Sequence, residues 1–232
     1  MGFSQVIDGV KTFISTAKPI LESVAPKMHE SMKVFAERMI VMEEKYPSIG
    51  DMIKVIDKVA EIVDDVLAAL GVDADSAAVL AMKAAQAEKG VSDFDSVQEY
   101  ITYLKEKIKL DEEKFKGLSQ EEKMVYTIAG IAIKAGAVGE KAGLNIPPEI
   151  VEMGAKVALA GKVVLSTKEL LTLLSELKNK EIDDLSDICD VITGEGNSDR
   201  WRTSRVLEQI LDEMRPGEGG KIVREIIDEI RE

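Results

Sequence analysis

The sequence predicts an all-α fold, a multi-helix bundle of about ten helices, and three observations carry that prediction. Strand signals are nearly absent, because apolar residues recur at helical rather than alternating spacing and turn residues fall between the runs. Helix-initiating capping boxes read at Asp95/Gln98, Ser119/Glu122 and Ser166/Glu169. Two stripes also repeat one step pattern: Met28, Met32, Phe35, Met39, Met42 and Tyr46 match Met52, Ile56, Val59, Val63, Val66 and Leu70. A 3.5-residue period holds each stripe on a single seam, the spacing of coiled-coil packing, so each helix needs a partner along its length.

The elements follow in order. A first amphipathic stretch carries Phe3, Val6, Ile7, Val10, Phe13, Ile14 and Ala17, and Pro19 and Pro26 are expected to interrupt it. The stripes then predict an antiparallel helical hairpin over about 27–70, turning at Pro47-Ser48-Ile49-Gly50 and stopping at Gly71. An alanine-rich helix runs from about Ser76 to near Gly90, and another carries Val97, Tyr100, Ile101, Leu104 and Ile108. Asp111 to Lys116 reads as a charged connector. A small-residue-rich apolar hairpin is expected over about 120–165, broken at Asn145-Ile146-Pro147-Pro148, with Lys134 the single formal charge between Met124 and Gly139. A leucine-rich helix begins after Ser166, and a short helix spans Asp184 to Thr193. The next runs through Met214, and an amphipathic helix holds Ile222, Val223, Ile226, Ile227 and Ile230. The Pro216-Gly217-Glu218-Gly219-Gly220 string before that last helix reads as a flexible joint. A helical bundle over 1–180 with a C-terminal helical segment over 181–232 is one division; a single domain is equally compatible.

Charge and cysteine usage narrow the function classes. The 232 residues carry a net charge of −13, and residues 175–232 hold 9 basic against 16 acidic groups. That balance disfavours nucleic acid and anionic lipid as partners. The lone Cys189 forms no intramolecular disulfide, which suits a reducing compartment, and its apolar neighbours suit a buried thiol. Asp8, Lys11 and Lys18 interrupt any secretory apolar core, and Val6 stands where a myristoylation motif wants Ser or Thr. A cytoplasmic protein is expected. One histidine and one cysteine, far apart, supply no nucleophile constellation, zinc catalysis is weakened, and a di-iron carboxylate bundle would need two histidines. No cofactor and no metal site is expected.

Four features are weighed as sites. The methionines Met32, Met39 and Met42 read as core packing, or alternatively as an adaptable groove for a partner helix. Cu(I) ligation is the remotest reading. Small residues Ala129, Ala132, Gly136 and Gly139 are set to face Gly154, Ala158 and Gly161. This gives a buried hairpin, or a membrane-active one over 124–165, although each apolar run is short of a bilayer span. The string Asp183-Asp184-Leu185-Ser186-Asp187 matches a D-D-x-x-D pattern that could hold Mg²⁺ and a diphosphate, but acids at a helix start are accounted for by the helix dipole. Arg200, Trp201, Arg202 and Arg205 form the sole cationic cluster and contain the sole tryptophan; the alternatives are a protein hot spot and ion pairing with Glu195, Asp199, Glu208 and Asp212. The leading expectation is a non-enzymatic protein-interaction module, an adaptor, immunity-type protein or assembly component, using the methionine seam or the Arg/Trp cluster. A protein partner is expected and nucleic acid is not. Membrane contact and a Mg²⁺-dependent diphosphate enzyme are the less favoured alternatives, and homo-oligomerisation is left open.

Overall fold

Capping chemistry sets where many of the helices begin. The computed structural model describes residues 3–43, 46, 48–194 and 200–231, and among them the chain forms twelve α-helices and no strand. They are α1 (Phe3–Val24), α2 (Glu30–Glu43), α3 (Ile49–Ala69), α4 (Ala77–Gln86), α5 (Val97–Lys107), α6 (Glu112–Gly117), α7 (Gln120–Ala142), α8 (Pro148–Leu159), α9 (Thr167–Asn179), α10 (Ser186–Thr193), α11 (Arg200–Met214) and α12 (Gly219–Arg231). Before α3, the Ser48 Oγ accepts the Asp51 N–H at 3.2 Å. Before α7, the Ser119 Oγ accepts from the Glu122 N–H while the Glu122 carboxylate accepts from the Ser119 N–H at 2.7 Å, a reciprocal box. Ser166 and Glu169 do the same before α9.

Four local readings shift. Helix α1 runs through Pro19 instead of ending there. A proline in a helix interior costs about 3 kcal/mol; here Phe13, Ala17, Ile20 and Val24 are all buried at helical spacing around it, and that burial opposes the loss. The cap of α5 sits one residue later than its sequence suggests, because Ser96 accepts the Glu99 N–H at 3.2 Å. The charged stretch after Asp111 is the short helix α6, with the Asp111 carboxylate accepting the Lys114 N–H at 3.0 Å. Helix α8 stops at Leu159, and Gly161 turns the chain with a φ of +67°, a conformation that glycine adopts without strain.

The chain divides into two compact units, Met1–Ala137 and Val138–Glu232. In the first, α1 packs on α4 and α4 on α5. Both stripes are buried from Met28 through Met42 and from Met52 through Val66. Glycines bring helix backbones together here: a Cβ at Gly130 of α7 would lie 1.9 Å from the Ala77 carbonyl oxygen, and one at Gly136 would lie 2.4 Å from the Met32 Cε. Tyr100 is enclosed beside Phe94 and Tyr103, with ring centroids 5.6 and 6.4 Å away, and burial pushes its phenol pKa upward.

In the second unit, Leu144, Met153, Val157, Leu177, Ile188, Leu207, Ile210, Leu211, Ile222 and Val223 share one apolar core. Helix α12 lies against α8, α10 and α11, so the C-terminal helix is packed into this core. The glycine string before it is a tight corner, not a flexible joint. The Gly219 N–H donates to the Asp212 carboxylate at 2.8 Å, and a Cβ on Gly219 would meet the Glu208 carbonyl oxygen at 2.2 Å. At its other end, Arg231 donates to the carbonyls of Ile192 (2.7 Å) and Val191 (3.0 Å), placing a cation at the negative end of α10.

Candidate functional site

Exposure separates the candidate surfaces. Met32, Met39 and Met42 lie inside the first unit, Met39 fully so, at 0% exposure. Met32 reaches Gly136 on α7, where the missing side chain leaves it room. A groove requires accessible thioethers, so these three are core residues in this fold and the docking role weighed for them is corrected to packing.

The small-residue pattern is used differently from its sequence expectation. On α7, Gly130 closes on Ala77, Gly136 on Met32, and a Cβ at Gly139 would meet the Leu144 carbonyl oxygen at 2.7 Å. A Cβ at Gly154 or Gly161 would meet nothing within 4 Å, so those glycines serve no close approach. No helix among the described residues is long and apolar enough to cross a membrane.

The one charge in the apolar part of α7 has a partner. Lys134 is 2% exposed and donates to the Asp64 carboxylate of α3 at 2.5 Å. A second buried lysine, Lys83 of α4, donates to Asp75 (2.7 Å) and to the Lys105 carbonyl (3.2 Å), while Lys105 pairs with Asp73. The segment between α3 and α4 thus presents acids to lysines from α4 and α5. Asp64, Asp65, Gly71, Asp73 and Lys134 border a cleft of about 560 Å³. Its lysine was legible only as an isolated charge within an apolar run.

The aspartate string is occupied by local structure. Asp183 accepts from Lys178 at 2.6 Å, and Asp184 accepts from the Asn145 side-chain amide and the Ser186 N–H, each at 2.9 Å. Helix α10 begins at Ser186, so Asp183 and Asp184 precede it and do not share its face with Asp187. Among the described residues no group of three or more His, Cys, Asp or Glu side chains is placed to hold a metal ion. Cys189 is buried.

Helix α11 carries the remaining candidate, and its two ends behave differently. At the C-terminal end, Arg215 is fixed: its Nε donates to Glu169 Oε1 at 2.6 Å, and its Nη2 to Glu169 Oε2 at 3.1 Å and to the Val164 carbonyl at 2.8 Å. The guanidinium, with the Ser166 cap, holds the Glu169 carboxyl down at a pKa of about 2. At the N-terminal end, Trp201 is 72% exposed and the Arg205 guanidinium carbon stands 5.2 Å from its ring centroid, a cation–π stack one helical turn long. Arg202 is also exposed. Arg200 opens the helix; its side chain, like Glu195 and Asp199, lies outside the described residues. The first turn of α11 holds no acid, and a cation at that end, such as Arg202, is disfavoured by the helix dipole. The site therefore presents an indole face and an ordered guanidinium outward. It offers contact area and carboxylate-matching donors. Compared with known proteins, this chain matches no family, no curated protein and no solved structure.

Proposed function

We propose that this chain is a non-enzymatic, cytoplasmic protein-interaction module that binds its partner through the first two turns of α11. The observation that carries the reading is Trp201, a large aromatic left 72% exposed with Arg205 stacked on it. Tryptophan and arginine are enriched among the residues that dominate binding energy at protein interfaces. The stack pre-orders two side chains that would otherwise lose rotamer freedom on binding. A polar helix surface needs neither, so this position departs from what folding alone favours.

A photo-crosslinking residue at Gln209, on the same side of α11, tests the reading in cells that make the protein. A discrete protein adduct that is lost on Trp201→Ala is expected. Absence of any adduct, or one indifferent to Trp201→Ala, contradicts it.

A further inference from the structure

A second cleft of the first unit, of about 420 Å³, is bordered by Pro19, Ile20 and Ser23 of α1, Gln86 of α4 and Tyr126 of α7. Its volume lies within the range of small-molecule sites. Tyr126 is 5% exposed, and among the described residues its hydroxyl has no hydrogen-bond partner in the chain. A phenol buried to this degree normally finds one. Tyr100 is the contrast: its hydroxyl also lacks a partner but is sealed in the core. The Tyr126 hydroxyl is not sealed, and the cleft is the space that its residue borders. The Gln86 carboxamide is exposed at the same cleft and likewise has no partner in the chain. Ser23 donates its hydroxyl proton to the Ile20 carbonyl at 2.6 Å, which leaves its oxygen as an acceptor. Pro19 stands exposed inside α1, where proline is the least favoured residue, and its ring walls this cleft. Departures from what folding favours collect at functional sites.

We propose that this cleft binds a small neutral ligand, a nucleobase or nucleoside without phosphate. The carboxamide of Gln86 offers a donor and an acceptor side by side, which matches an adjacent amino group and ring nitrogen on a base edge. The Tyr126 hydroxyl gives or takes one further hydrogen bond, and Pro19 and Ile20 supply apolar contact for the flat body of the base. Charge selects against the alternatives. The two charged groups at the cleft, Lys114 and Glu122, are opposite in sign, so the cleft holds no net formal charge to fix an ion. The chain's net charge of −13 disfavours a phosphorylated ligand at longer range. A sugar is the poorer match, because the ring of Tyr126 is buried and offers no aromatic platform.

Isothermal titration of the full-length protein with adenosine, purine riboside, adenosine 5′-monophosphate and glucose tests the assignment. Adenosine is expected to bind with a Kd below about 1 mM. Purine riboside, which lacks the exocyclic amino donor, is expected to bind about tenfold more weakly. The monophosphate is expected to bind no tighter than adenosine, and glucose more weakly than either. Gln86→Ala, a surface change that leaves thermal unfolding at the wild-type value, is expected to weaken adenosine about tenfold and to abolish its advantage over purine riboside. Tyr126→Phe, which keeps the buried ring and removes the hydroxyl, is expected to weaken adenosine by about threefold to tenfold. No binding of adenosine, equal affinity for purine riboside, tighter binding of the monophosphate or of glucose, or an adenosine affinity unchanged by Gln86→Ala would each overturn the assignment.

Discussion

The methionine seam of α2 and the Trp/Arg face of α11 both qualify as partner surfaces by residue type, yet one is turned inward and the other outward. Met32, Met39 and Met42 are buried, and Met32 fills the space that Gly136 leaves. Trp201 stands 72% exposed. The difference teaches that a regular apolar period marks a face that must be covered, and that the chain itself supplies the cover when its neighbours offer small residues at the right places. An aromatic with no apolar residues at helical spacing around it has no such obligation within the fold.

The largest way to break the comparison acts on the seam. Gly130→Val forces a side chain into the Ala77 carbonyl and is expected to destabilise the first unit by about 3 kcal/mol or more, read by urea denaturation. Met39→Ala is expected to cost about 3 kcal/mol through the cavity it leaves, whereas Trp201→Ala stays within about 0.5 kcal/mol of wild type because it empties no core. Equal costs at these two positions would erase the distinction drawn here.

Charged positions sharpen it further. Asp64→Ala leaves the Lys134 ammonium buried without its carboxylate and is expected to cost about 3 kcal/mol, while Lys134→Met, apolar and of similar length, is neutral or stabilising. A denaturation series on the two variants and wild type checks the asymmetry. The smallest effect belongs to Glu169→Gln, at about 1 kcal/mol, since its bidentate pair with Arg215 is partly solvated. Its sign with pH is fixed. Glu169 ionises near pH 2 in the fold against an ordinary 4.5, so its contribution is full above pH 4.5 and is lost as pH falls from 4.5 through 2. Melting temperatures of wild type and variant are therefore expected to converge over that interval.

Much of the fold was legible in the sequence for local reasons. The boxes at Ser119/Glu122 and Ser166/Glu169 need only residues three apart, and the stops at Gly71 and Gly194 need only a left-handed backbone, with φ of +79° and +77°. Tertiary contacts overrode local signals elsewhere. Pro19 lies inside α1 amid buried neighbours, and Gly219, read as slack, lets α12 turn tightly onto α11. The candidate site was legible as a composition, one tryptophan among arginines, but its exposure was not. Whether Arg202 and Arg205 meet acids within the chain depends on where α11 sits, and no spacing encodes that. Met39 and Trp201 could not be sorted into core and surface by residue type alone.

Hydroxyl-radical footprinting with mass spectrometric readout tests that sorting most directly, since methionine and tryptophan both oxidise readily when accessible. In the folded protein Trp201 is expected to oxidise rapidly while Met32, Met39 and Met42 are protected until the chain is unfolded. Rapid oxidation of those methionines beside a protected Trp201 would contradict the account.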